Sequence, residues 1–144
     1  MSLVNDFYFE LISPEKGHFS GKVRSVILPS ESGDMTILAG HSSVLVRIKP
    51  GIITVELPSR DVSRYVVVGG ISHSISSRCT VLAEDIFAIN GAACIEAIDK
   101  RFEDYQSILD NLSDVEQRSQ LEQFLMDLFY LRSRVSSEDF QSSL

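Results

Sequence analysis

Over the first ninety residues the apolar positions come in short runs, many with a period of two. Phe7-Tyr8-Phe9-Glu10-Leu11-Ile12 is rich in aromatic and branched residues and stops at Ser13-Pro14. His18 to Leu28 alternates in part, with Phe19, Val23 and Val26 as candidate inward positions, and ends at Pro29-Ser30. Met35 to Leu38, Val44 to Ile48 and Ile52 to Leu57 follow, separated by Gly40-His41-Ser42 and Pro50-Gly51. Tyr65 to Val68 runs into Gly69-Gly70, Ile71-Ser72-His73-Ser74-Ile75 alternates strictly, and Cys79 to Ala83 and Ile86 to Ile89 complete the series. About ten short strands with turn residues this close together predict an antiparallel sandwich or barrel. A parallel α/β sheet is excluded, because no stretch before Gly91 has room for crossover helices.

After Asn90-Gly91 the period changes. Ile95, Ile98, Phe102, Tyr105, Ile108, Leu109 and Leu112 fall at spacings of three and four, which is one face of a helix. Ser113-Asp114-Val115-Glu116 reads as a capping box, with Ser113 at the cap. A second helix then offers Leu121, Phe124, Leu125, Leu128, Phe129, Leu131 and Val135 as its apolar positions. Two amphipathic helices with a short connection predict an antiparallel hairpin. The expected organisation is α+β: a β-sandwich domain over residues 1–91, then a helical hairpin over 92–144 whose serine-rich end frays. A hairpin of this kind must bury its apolar faces on another surface.

An apolar fraction of 44% and a charged fraction of 23% place the chain among globular proteins. The acidic, aromatic start, Met1 to Glu10, lacks the basic and apolar regions of a secretory signal, and no apolar run is long enough to span a bilayer. A soluble intracellular protein is expected. The net charge of −7 argues against a nucleic-acid partner, and most of the excess negative charge lies in residues 92–144. Cys79 and Cys94 are too far apart for a CxxC site, so two reduced thiols are expected, with no disulfide framework and no zinc.

Catalytic chemistry finds no footing. His18, His41 and His73 form no HxxxH or HExxH spacing. Ser72 and His73 are adjacent on a strand and must point to opposite faces, so they cannot act as nucleophile and base. Glu84 and Asp85 diverge for the same reason. Gly69-Gly70 lacks the GxGxxG pattern and a following helix, and it marks a bend or bulge instead of a phosphate cradle. The chain is not expected to be an enzyme or to carry a metal or cofactor.

The order of the turn motifs is more specific. Leu28-Pro29-Ser30-Glu31-Ser32-Gly33-Asp34-Met35-Thr36-Ile37-Leu38-Ala39-Gly40-His41-Ser42-Ser43-Val44-Leu45 continues to Ile48-Lys49-Pro50-Gly51-Ile52. Phe9-Glu10-Leu11-Ile12-Ser13-Pro14 precedes it, and Val68-Gly69-Gly70-Ile71 and Thr80-Val81-Leu82-Ala83-Glu84 follow. Taken together, these segments closely resemble the epsilon-subunit family of F-type ATP synthases over about residues 7 to 90. The two-helix tail fits that family's architecture. Gly40, Pro50, Gly51, Gly69 and Gly70 serve as structural turns on either reading.

The resemblance implies a non-catalytic rotor subunit that couples proton-driven rotation of the c-ring, through the gamma subunit, to ATP synthesis. It places Glu31, Ser32, Gly33, Asp34 and His41 toward the c-ring. It makes the hairpin a regulatory element that can reach the alpha and beta subunits, and it places the protein peripherally on the cytoplasmic face of the bacterial inner membrane. Some bacterial members carry an (I/L)-D-x-x-R-A nucleotide motif. Ile98 and Asp99 match its start, while Phe102 and Glu103 stand at the positions of its Arg and Ala. Ala39 replaces the usual Pro, and Ser42-Ser43 the usual Ala-Pro. The competing reading is a free-standing β-sandwich adaptor or ligand-binding module with a helical tail.

Overall fold

A computed structural model describes residues 5–89 and 92–136. The chain divides into two compact units, Met1–Ile86 and Phe87–Leu144. The strands are β1 (Phe7–Ile12), β2 (Gly17–Val23), β3 (Ser25–Ser30), β4 (Gly33–Leu38) and β5 (Val44–Ile48). They continue with β6 (Gly51–Glu56), β7 (Val62–Val67), β8 (Gly70–Ile75), β9 (Arg78–Ala83) and β10 (Ile86–Ala88). Neighbouring strands run in the order β10-β7-β6-β3-β5-β8-β9-β1-β2, with β4 paired to β3. The expected all-antiparallel sandwich is modified at one place, because β1 runs parallel to β9 while pairing antiparallel with β2.

The core follows from alternation. In β1, Phe7, Phe9 and Leu11 point inward and are buried, while Tyr8, Glu10 and Ile12 do not. Val23, Val26, Leu28, Ile53, Val55 and Val81 join them and are fully buried. Phe19 packs beside Phe9 at 5.8 Å between ring centroids and meets Tyr65 edge-on at 6.4 Å. Burial of this kind contributes about 1.5–3 kcal/mol per large apolar side chain.

Two expected boundaries move. The segment from His18 to Leu28 is two strands, because the chain breaks at Arg24, whose amide donates to the Glu56 carbonyl at 2.7 Å. The stop expected at Pro29-Ser30 falls later, since β3 runs through both residues. Proline is tolerated there because its carbonyl is used, accepting from the Lys49 amide at 2.9 Å, while β4 lies opposite on the antiparallel side. Gly51 approaches Pro29 so closely that a Cβ would sit 2.5 Å from the proline Cβ.

Gly69 lies between β7 and β8, and Gly70 opens β8. Both have positive φ, +146° and +156°. The Glu84 amide donates to the Gly69 carbonyl at 2.9 Å, and Gly70 lies opposite Ala83. A Cβ on Gly70 would fall 2.0 Å from the Leu82 carbonyl oxygen. Only glycine fits that approach.

The second unit contains α1 (Ala92–Asp110) and α2 (Val115–Val135), joined by residues 111–114. Cys94, Ile98 and Leu109 on α1 are buried, as are Leu125, Leu128, Leu131 and Val135 on α2. Ile108 and Phe129, expected on the inward faces, are exposed. The helical phase places Cys94 in the stripe as well, beside the expected Leu131. The cap of α2 is Asp114, one residue after the expected Ser113: its carboxylate accepts from the Gln117 amide at 2.9 Å. Its carbonyl receives the first helical bond, from the Arg118 amide.

Gly70→Ala should destabilise the protein by about 3 kcal/mol, since it adds both backbone strain and a backbone clash. Gly17→Ala, where a Cβ meets nothing within 4 Å, should change stability by less than about 0.5 kcal/mol. Urea unfolding midpoints of the two variants check the difference.

Candidate partner-binding surfaces

Strand β8 alternates in the phase opposite to its hydrophobicity. Ser72 and Ser74 are buried, while Ile71, His73 and Ile75 face solvent. The serines lie beside bulky neighbours, with Ser72 between Val46 on β5 and Val81 on β9. The Ser72 hydroxyl lies 3.5 Å from the Cys79 sulfur, and the Ser74 hydroxyl donates to the same sulfur at 3.4 Å. Small polar side chains are thus accommodated inside, and branched apolar ones are left outside.

The outward residues form one continuous surface. Across β5, β8, β9 and β1, Arg47, Ile71, Leu82 and Ile12 are successive register partners. Partners in such a row stand about 4.5–5.5 Å apart at Cβ. Leu45 lies diagonally next to Ile71, and Ile75 faces outward four residues further along β8. Leu45 is 68% exposed, Leu82 49% and Ile71 47%. A polar margin borders the row: Tyr8 pairs with Arg78 in register, and Arg78 stacks over the Tyr8 ring at 4.7 Å while forming an ion pair with Glu10. An apolar centre with a polar rim is the anatomy of a protein interface.

The tip between β3 and β4 is a second surface. Only Glu31 and Ser32 form its turn, and Ser30 belongs to β3 and is buried. Its hydroxyl donates to the Gly33 carbonyl at 2.5 Å and accepts from the Ser32 amide at 3.2 Å. Gly33 takes a φ of +117°, which favours glycine. Glu31, Ser32 and Asp34 are exposed, and Arg47 reaches Glu31 at 3.8 Å. His41 lies past the other end of β4, where its amide donates to the Leu38 carbonyl and its Nδ1 lies 2.7 Å from the Ser42 carbonyl oxygen. The structure therefore does not bring His41 together with Glu31 to Asp34: β4, six residues and about 17 Å long, starts at the tip and ends three residues before His41. Gly40 has a φ of +81° and its amide donates to the Ser76 carbonyl at 2.8 Å, tying His41's loop to the β8–β9 turn.

In the hairpin, Ile98 is buried and Asp99 faces α2, where it forms a forked ion pair with Arg132. Asp99 raises the Arg132 pKa further by its hydrogen bond and its charge. Arg118 on α2 caps the end of α1, donating to the Leu109 and Leu112 carbonyls at 2.7 and 2.9 Å. Val115, Met126, Phe129 and Tyr130 are exposed.

No group of three or more His, Cys, Asp or Glu is arranged to hold a metal among the described residues. His18 lies 3.3 Å from Ser13, and burial is the largest cause lowering its pKa. Ser72 and His73 occupy opposite faces, as neighbours on a strand must. A depression lined by Asn5, Arg24, Leu38, Ala39 and Glu56 combines polar and apolar side chains.

Sequence reasoning missed the outer apolar row. Its signal was the alternation of Ser72 and Ser74 with Ile71, His73 and Ile75 in β8, which on its own does not reveal which set faces inward. It also missed the Asp99–Arg132 pair, which joins residues 33 positions apart.

Residues 6–89 match the sequence model of the ATP synthase delta/epsilon chain, beta-sandwich domain. An ATP synthase epsilon chain of Mesorhizobium japonicum is 36% identical over 129 residues, covering 90% of this chain and 95% of its own. That of Rhizobium johnstonii is 33% identical over 136 residues, covering 94% and 100%. Among solved structures, a chain of the Euglena gracilis mitochondrial ATP synthase assembly (OSCP, F1 and c-ring) superposes with a TM-score of 0.70 at 19% identity, covering 95% of this chain and 85% of that one. A chain of the Tetrahymena thermophila mitochondrial ATP synthase central stalk and c-ring gives 0.62 at 14% identity, covering 91% and 96%. These last two share its fold.

Both thiols should resist modification in the folded protein. Cys79 is fully buried, and burial pushes the Cys94 thiol up to about 11, leaving roughly one thiolate in a thousand at pH 8. Iodoacetamide at pH 8 should label neither within minutes, and both after denaturation, as peptide mass spectrometry would show.

Proposed function

The chain belongs to the ATP synthase delta/epsilon chain family and is a non-catalytic stalk subunit; from that premise we propose how it takes part in rotation. The β unit joins the gamma subunit through its outer apolar row and meets the c-ring through the tip at Glu31 to Asp34. Torque from proton-driven c-ring rotation passes along this rigid sandwich to gamma and on to ATP synthesis. The hairpin is the regulatory element, reaching the alpha and beta subunits to restrain ATP hydrolysis. The protein is peripheral, on the cytoplasmic face of the bacterial inner membrane, and no described helix is long and apolar enough to cross a membrane.

The observation that carries this reading is the outward phase of β8. Ile71, Leu82 and Leu45 gain nothing for the isolated chain by facing water, and a partner that covers them recovers about 25 cal/mol per Å² of apolar area. The tip suits a different role. Its surface is small, charged and held stiff by the Ser30 hydrogen bonds, so it can meet a moving ring of subunits without a large apolar contact.

The wild-type chain co-expressed with the gamma subunit should co-purify with it at micromolar concentration. Leu45→Asp combined with Ile71→Asp should weaken that complex at least about tenfold, with an unchanged circular dichroism spectrum. Failure of the wild-type pair to co-purify would sink the coupling role. For the hairpin, removing residues 92–144 from the assembled complex should raise its ATP hydrolysis rate, and an unchanged rate would leave the hairpin a structural part only.

A further inference from the structure

The two helices of the hairpin are pinned at three levels that differ in kind. Beside the connection, Arg118 donates to the carbonyls of Leu109 and Leu112, a charge–dipole contact at the C-terminal end of α1. At mid-height Tyr105 and Phe124 meet edge-on at 4.9 Å. Toward the open end, where nothing covalent joins the helices, the planar guanidinium of Arg132 bonds both carboxylate oxygens of Asp99, with Nη2 to Oδ2 at 3.2 Å. The side chains of this pair are 44% and 49% exposed, so solvent and salt reach it. Their sequence neighbours, Ile98 and Leu131, are buried, so the pair rides at the edge of the apolar seam.

We propose that Asp99 and Arg132 form a salt-sensitive latch that closes the open end of the hairpin. Its release lets the last turns of α2 separate from α1 while the connection end stays capped by Arg118. Two features support a latch over a passive surface pair. The contact is bidentate, which adds orientation to attraction and fixes the helices in one register. It is also the contact in the series whose strength depends on two full charges in water, so it weakens first as ionic strength rises. The stripe it closes over is thin toward the end of α2, where Leu131 and Val135 are buried and Met126, Phe129 and Tyr130 point away. The consequence for hydrolysis rests on the regulatory reading of the hairpin given above; the latch itself does not.

Hydrogen exchange of the full chain tests it, with the amides of residues 128–136 as the readout and those of the β unit as an internal standard. Asp99→Asn and Arg132→Gln should each speed exchange there about threefold at low salt and leave the β unit unchanged. Raising salt from about 50 mM to about 0.5 M should bring the wild type toward the variants and leave the variants as they were. The reversal Asp99→Arg with Arg132→Asp should restore protection. Exchange in the single variants equal to wild type, a wild-type rate indifferent to salt, or a reversal that restores nothing would each overturn the latch. Hydrolysis by the assembled complex carrying Asp99→Asn separates the two claims: faster exchange with unchanged hydrolysis keeps the latch and removes its regulatory consequence.

Discussion

The in–out phase of the strands β5, β8 and β9 is the constraint on which the β unit depends. A strand has only two phases, and slipping by one residue moves every side chain to the other face. Here three features set the choice together. Val46 and Val81 occupy the interior on either side of Ser72, leaving room only for a small side chain. The Cys79 sulfur accepts from Ser74 and lies beside Ser72, so the buried hydroxyls are not left unpaired. A Cβ at position 70 would fall 2.0 Å from the Leu82 carbonyl oxygen, so only a glycine can start β8 in this register. Once this phase is set, Ile71, Ile75, Leu45 and Leu82 have no choice but to face outward. The core's geometry thereby fixes which side chains this face of the sheet presents outward.

Much of this architecture was legible in the chain itself, and the parts that were not share a cause. Runs such as Phe7 to Ile12 and Val44 to Ile48 announce strands because branched and aromatic residues alternate between turn residues. The change of period after Gly91 announces the hairpin equally well. What could not be read was phase. The alternation in β8 is symmetric between its two sets until the neighbours across the sheet are known. The cap of α2 fell on Asp114 instead of Ser113 because both residues start an acceptable box, Asp114 with Gln117 and Ser113 with Glu116. Phe129 and Ile108 lie outside the stripe for a similar reason: a helix this rich in apolar residues has two plausible faces, and packing decides between them.

The candidate surfaces show the same split. A tip built on Ser30, Gly33 and charged residues was visible as a turn, since each residue has a local reason to be there. The distance between that tip and His41 was not visible, because nearness in sequence says nothing about the strand between them. Six residues lie between Asp34 and His41, but β4 extends through most of that interval and carries the two groups toward opposite ends. A motif that spans a turn, a strand and another turn is a signature of fold. It does not by itself describe one surface.

The two units also hold their shapes by different means, and this bears on how a single chain can both transmit torque and respond. The β unit is cross-linked by hydrogen bonds along each strand pair and filled by aromatic and branched side chains, so it deforms little under load. The hairpin has one seam of buried residues, a cap at one end and exposed charges at the other. The contact at the open end joins two full charges that are exposed to water, so salt screens it. Local opening falls to the element with the fewest buried apolar contacts and the most exposed pairs. The contrast in packing between sandwich and hairpin places local opening in the helices before the sheet.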